Sequence, residues 1–127
     1  MVLADTCIWI DFFRGKNPRI TSRFRELIRT GQVALAGVVL AEVIQGISSA
    51  DEQGLVVDHF LSLTYFETTR QTWEKAGTLS KLLRSRGITV PLTDLVLAAI
   101  AIENDIEVYT TDSHFTKIPG LRLHHSR

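Results

Sequence analysis

The sequence predicts a single α/β domain built on a mostly parallel, five-stranded sheet flanked by helices, and three observations predict it. Short apolar runs alternate with longer stretches of helical periodicity, the pattern of strands joined by helical crossovers. A length of 127 residues suits one core and leaves no room for a second of ordinary size. Hydrophobic residues make up 45% of the chain against 22% charged, enough to bury a core and too apolar for disorder. With no repeat, linker or low-complexity tract, one domain is expected over residues 1–127.

The elements follow in order. A strand is expected at Val2–Ala4, and Asp5-Thr6-Cys7-Ile8-Trp9 after it reads as a capped helix start. Apolar residues at helical spacing mark a helix over residues 20–28, and Val33–Ala36 is the second strand. Helices over 38–47 and 53–63 precede a third strand at Thr64–Phe66. Two more helices, over 72–85 and 93–104, lead to a strand at 107–110, and the fifth strand is expected at 121–123. Pro18, Gly87 and Pro91 fall between elements, where breakers belong.

Fourteen basic residues balance fourteen acidic ones, which excludes a broad, nonspecific nucleic-acid coat but not an enzyme whose acidic pocket and basic rim cancel. The one cysteine, Cys7, can form neither an internal disulfide nor a zinc site by itself, and its apolar neighbours suggest a small buried side chain. No apolar stretch reaches membrane-spanning length and the start lacks a signal peptide's basic residues, so a soluble cytoplasmic protein without membrane partners is expected.

Open parallel sheets bind ligands beyond the carboxyl ends of their strands. Two acids stand there, Asp5 after the first strand and Asp112 after Val108-Tyr109-Thr110-Thr111. Each also has a local reading, Asp5 as a helix cap and Asp112-Ser113 as a turn. Glu42 interrupts the apolar run Val38-Val39-Leu40-Ala41-Glu42-Val43-Ile44, where a carboxylate is costly unless paired, protonated or metal-bound; sharing a narrow polar stripe with Gln45 is the alternative. Asp94 opens a long apolar helix, where it or Thr93 would cap, yet Ala98 and Ala101 on its face would let another element approach closely. Brought together, these carboxylates would repel one another, and hard divalent cations with oxygen ligands, magnesium or manganese, are the usual remedy.

Four segments resemble, in order and over nearly the whole chain, the acidic motifs of VapC-type PIN domains. They are Asp5-Thr6-Cys7-Ile8-Trp9-Ile10-Asp11-Phe12-Phe13-Arg14-Gly15, Leu40-Ala41-Glu42-Val43-Ile44-Gln45-Gly46, Pro91-Leu92-Thr93-Asp94-Leu95-Val96-Leu97-Ala98-Ala99-Ile100-Ala101 and Tyr109-Thr110-Thr111-Asp112-Ser113-His114-Phe115. The resemblance implies a PIN fold and Mg2+- or Mn2+-dependent cleavage of RNA, with Asp5, Glu42, Asp94 and Asp112 as the acidic catalytic and metal site. It further implies a homodimer, and a cognate VapB-type antitoxin whose tail blocks the site in a toxin–antitoxin hetero-oligomer. One departure is His114, where many relatives carry an acid or amide; it stands either as a contact to water or RNA or as a plain turn residue.

Hydrolysis of this kind would leave a 5′-phosphate and a 3′-hydroxyl. Thr6, Thr93 and Thr111 adjoin three of the acids, as auxiliary groups or as helix caps. RNA needs positive charge around an acidic hole, and Arg14, Lys16, Arg19, Arg23, Arg25 and Arg29 crowd one early segment, with Arg14 nearest the first motif. Arg70, Lys75, Lys81, Arg84 and Arg86 form a second basic region; either set also fits a solvated helix face. Trp9, Phe12, Phe13, Phe24, Phe60 and Trp73 read as core or interface. Adjacent His124 and His125 match no metal motif. Two rivals are a catalytically silent PIN scaffold and a phosphatase-like phosphotransfer domain, though the latter wants a second aspartate where this chain has Cys7.

Overall fold

Three aliphatic side chains in a row, all buried, make β1 (Val2–Ala4) a central strand, and the equally apolar β2 (Val33–Ala36) lies beside it. The structure is a computed structural model and describes residues 1–125; the last two positions of the expected domain lie outside the described residues. After β1 come α1 (Thr6–Arg14) and α2 (Pro18–Arg29). After β2 come α3 (Gly37–Gln45), α4 (Ala50–Phe60) and the edge strand β3 (Thr64–Phe66). Then α5 (Arg70–Ser85) and α6 (Leu92–Glu103) precede β4 (Glu107–Tyr109) and a 3-10 turn at Ser113–Lys117.

All strands pair in parallel, in the order β3-β2-β1-β4. The chain walks outward from β1 to β3, then crosses back through α5 and α6 to place β4 on the other side of β1. Strand order therefore reverses between β1 and β4, and the crevice beyond their carboxyl ends is where such sheets bind ligands.

The expected fifth strand is absent as a strand. Residues 121–123 touch β4 at one bridge, Leu123 beside Val108, with Val108 N–H donating to Arg122 O at 3.0 Å and His124 N–H to Val108 O at 2.8 Å. Alternate residues of a strand point their backbone groups to opposite sides. In a β4 of three residues only the middle one offers both groups to the outer edge, so one bridge is all the edge can hold.

Caps set the helix limits. Pro18 is the first residue of α2, not a breaker between elements, because proline lacks the N–H that a first helical residue leaves unused. Ser49 starts α4 and Thr69 starts α5, moving both starts N-terminal to the expected ones. Gly15 ends α1 in the left-handed region, at φ 64°, with its N–H on Asp11 O. The helix α6 is buried on every side from Leu95 to Ala101, while α2 buries only Phe24. Trp9 fills the centre of an aromatic cluster, its ring 4.6 Å from Phe24 and 4.8 Å from Phe60. Phe13 and Trp73 are largely exposed instead. Among the described residues no helix is long and apolar enough to cross a membrane.

Candidate active site

Each acid reaches the crevice by its own element. Asp5 follows β1 and caps α1, its Oδ1 accepting from Thr6 N–H at 2.8 Å, so the cap and the pocket carboxylate are one residue. It is only 8% exposed. Asp112 follows β4, and its Oδ1 accepts from His114 N–H at 2.9 Å to start the 3-10 turn. The turn expected at Asp112-Ser113 thus exists and aims the carboxylate as it forms. Glu42 stands half-buried on α3, where Thr6 Oγ1 donates to its Oε1 at 3.0 Å. Gln45, the alternative partner of Glu42 in a polar stripe, is exposed.

Asp94 caps nothing, and neither does Thr93. Pro91 holds the cap position of α6 without a side-chain hydrogen bond, so Asp94 lies third in the first turn, near the positive end of the helix dipole. Its carboxyl is nonetheless pushed up to about 6, first by burial and then by the charges of Asp5, Asp112 and Glu42, with His114 pulling the other way. Asp5, Asp112 and Glu42 therefore lie near enough for their charges to act on Asp94.

His114 is both a turn residue and a neighbour of the acids: its Nδ1 lies 3.1 Å from Asp112 Oδ1. Asp94, Asp112 and His114 can each place one donor atom within 4.8 Å of the others. The set is carboxylate oxygen with one imidazole at its exposed edge, and among the described residues no lysine or arginine forms a salt bridge with it. Hard divalent cations suit such donors.

The expected auxiliary threonines divide. Thr6 holds Glu42; Thr111 instead donates to Cys7 Sγ at 3.4 Å, and Thr93 lines an apolar groove of about 420 Å3 with Val38, Trp73, Leu92 and Val96. Cys7 is half-buried beside the acids rather than in the core, and burial above all pushes its thiol up, so it stays a protonated donor. Sequence reasoning passed over Thr110, whose hydroxyl donates to Asp5 Oδ2 at 2.9 Å. The signal available was its place two residues before Asp112 at the exit of β4, where Asp112 N–H donates to its hydroxyl at 3.0 Å.

Arg14 stands at the far end of α1, about 13 Å from Asp5 at 1.5 Å per residue, so its nearness in sequence is not nearness to the acids. It lines a second groove of about 410 Å3 with Ile10, Phe12, Phe13, Val43 and His59. Lys16 is exposed just beyond it. In the same basic segment Arg29 pairs with Glu26 and Arg25 covers the Phe12 ring. His124 is held by Glu107, at 3.0 Å, away from the acids.

The PIN domain family model matches residues 2–121 of the chain. Over 112 residues, 86% of this chain and 81% of the relative, the sequence is 26% identical to a protein named ribonuclease VapC21 from Mycobacterium tuberculosis. Among solved structures, the chain is similar to one in VapBC2 from Rickettsia felis bound to a promoter DNA fragment, with TM-score 0.81, 22% identity and 98% of each chain covered. It is also similar to one in DNA-bound VapBC from Salmonella typhimurium, with TM-score 0.78, 26% identity, and 97% of this chain and 96% of that one covered.

Proposed function

The chain belongs to the PIN domain family, and from that premise we propose that it is a divalent-metal-dependent endoribonuclease, the toxin half of a VapBC-type toxin–antitoxin pair. The observation that carries the reading is the cluster of Asp94, Asp112 and His114, whose donor atoms lie within 4.8 Å of one another, with Asp5 and Glu42 near enough for their charges to act on Asp94. These four residues would hold Mg2+ or Mn2+. When bound, such a cation lowers the pKa of water and offsets the charge growing on the leaving oxygen.

The protein's own contribution is positioning. Thr6 holds Glu42 toward the crevice, the α1 cap holds Asp5, and the 3-10 turn holds Asp112. The half-buried pocket limits water around the acids, so charge placed there is weakly screened. Without a metal, burial and the neighbouring acids raise the Asp94 carboxyl to about 6, a cost that a bound cation would offset. A phosphotransfer domain finds no support beside this family match, and a silent scaffold is the alternative outcome of the test.

Mixed RNA incubated with the purified protein is expected to be cut with Mn2+ or Mg2+ and left intact with EDTA, while a zinc-selective chelator has little effect. Sequenced product ends should carry 5′-phosphates. A 2′,3′-cyclic phosphate would refute the metal reading, and no cleavage under any metal would leave the scaffold.

A homodimer and a VapB-type antitoxin are the proposed partners. An antitoxin tail presenting an arginine would pair bidentately with the acidic cluster. Glu42→Gln and Asp112→Asn should then each weaken antitoxin binding in calorimetry, by about 1.5–3 kcal/mol for a charged hydrogen bond lost. Unchanged affinity in both variants would move the inhibitor's footprint elsewhere.

A further inference from the structure

One step beyond the Ala4–Tyr109 pair, the parallel register brings Asp5 alongside Thr110, and Asp5 N–H donates to Tyr109 O at 2.8 Å. The Thr110 hydroxyl has a fixed polarity. The Asp112 N–H, 3.0 Å away, can only donate, so the Thr110 oxygen accepts there. A carboxylate can only accept, so the single hydroxyl proton goes to Asp5 Oδ2 at 2.9 Å. One side chain thus ties the exits of β1 and β4, and with them two acids from opposite ends of the sequence.

The remaining acceptor sites of Asp5 can be counted. Each carboxylate oxygen takes about two donors. At Oδ2 one is Thr110, and the other is the Cys7 S–H, 3.5 Å from Oδ2 and 3.6 Å from Thr110 Oγ1, itself held by the Thr111 hydroxyl. At Oδ1 the Thr6 N–H is the one protein donor among the described residues. Oδ2 is committed to the protein, and Oδ1 keeps a lone pair.

We propose that Thr110 is the positioning residue of this site, orienting Asp5 so that it meets a divalent cation through Oδ1 alone; the inference rests on the metal-dependent reading above. Cys7 assists as the weaker donor. A valine at position 110 keeps the shape, loses the proton donor and strands the Asp112 N–H. Asp5 Oδ2 is then free to turn toward the cation, and the exit of β4 loosens.

The test is Mn2+ calorimetry on the full chain without RNA, beside melting in EDTA, for wild type, Thr110→Val and Thr110→Ser. Thr110→Val should bind Mn2+ about 10–100-fold more weakly, the usual effect of losing a partner behind a metal ligand, and Thr110→Ser should restore most of it. If Thr110→Val does not fold, Thr110→Ala carries the same comparison. Wild-type affinity in the folded valine or alanine variant, or a serine variant no better than it, would overturn the proposal while leaving the metal site standing. A manganese-bound crystal structure should show Asp5 ligating through Oδ1, and ligation through Oδ2 or through both oxygens would equally overturn it. If wild type binds no Mn2+ at all, the metal reading falls and this inference with it.

Discussion

Asp5→Asn is expected to abolish RNA cleavage while leaving the fold intact. The amide nearly matches the carboxylate in shape, and its oxygen can still accept from Thr6 N–H, so the α1 cap survives. What it loses is the charge at the mouth of β1, where a cation would be held, and the acceptor for the Thr110 hydroxyl, since the amide NH2 takes the place of Oδ2. Losing a residue that merely orients a metal ligand typically weakens affinity or activity about 10–100-fold, so loss of a ligand itself should exceed that range. Circular dichroism and melting establish the fold, and single-turnover cleavage of a labelled RNA measures the loss. Cys7→Ser keeps a donor beside Asp5 Oδ2, so activity should change little, which separates loss of the acid from loss of the thiol. Cleavage by Asp5→Asn at near the wild-type rate would remove Asp5 from the site.

Asp94→Asn is expected to melt higher than wild type in EDTA at neutral pH, and the difference should vanish in acid. A carboxyl whose folded pKa is raised makes the folded state hold its proton longer than the unfolded state does. Stability therefore falls as pH rises through the window between the ordinary carboxylate value near 4 and the folded value of about 6, and the full cost is present above it. At roughly 1.4 kcal/mol per pH unit the ceiling is about 3 kcal/mol, and partial exposure of the group reduces it to about 1–2 kcal/mol. The amide carries none of that cost. Added Mn2+ should raise the wild-type melting temperature more than the variant's, since a ligand stabilises according to its affinity for the folded state. Equal melting in EDTA at pH 7 and pH 4, with equal manganese shifts, would sink the shared-pocket account of Asp94.

Much of this molecule was legible in the order of its residues. The strands at Val2–Ala4 and Val33–Ala36 are found where apolar runs predict them, because a buried parallel strand must be apolar on both faces, and the exposed edge strand at Thr64–Phe66 is found where its β-branched and aromatic residues place it. Helix starts were less legible, since Ser49 and Thr69 cap before the apolar periodicity begins. At α6 the rule that favours aspartate as a cap pointed to Asp94 or Thr93. Pro91 took the position instead, leaving Asp94 free to face the other acids. The fifth strand failed for a reason outside its own sequence: the edge of β4 offers one residue of pairing.

The acids stood out in the sequence because a carboxylate is out of place on an apolar helix or at a buried strand end, a local mismatch, and the resemblance to PIN-domain motifs joined them into one set. What holds them did not. Thr110 meets Asp5 only because β4 lies beside β1 in parallel register, and Thr6 meets Glu42 across 36 positions of chain. Arg14, close to Asp5 in number, is carried a helix length away from it. By itself the sequence determined the layered fold, through burial and periodicity, which neighbouring residues express, and its four ordered motifs singled out the four acids through their resemblance to PIN domains. Only the tertiary structure decided which donors orient each acid and how far their charges displace Asp94. Hydrogen bonds and Coulomb interactions depend on distances of a few ångströms in space, and sheet register, not chain order, sets those distances.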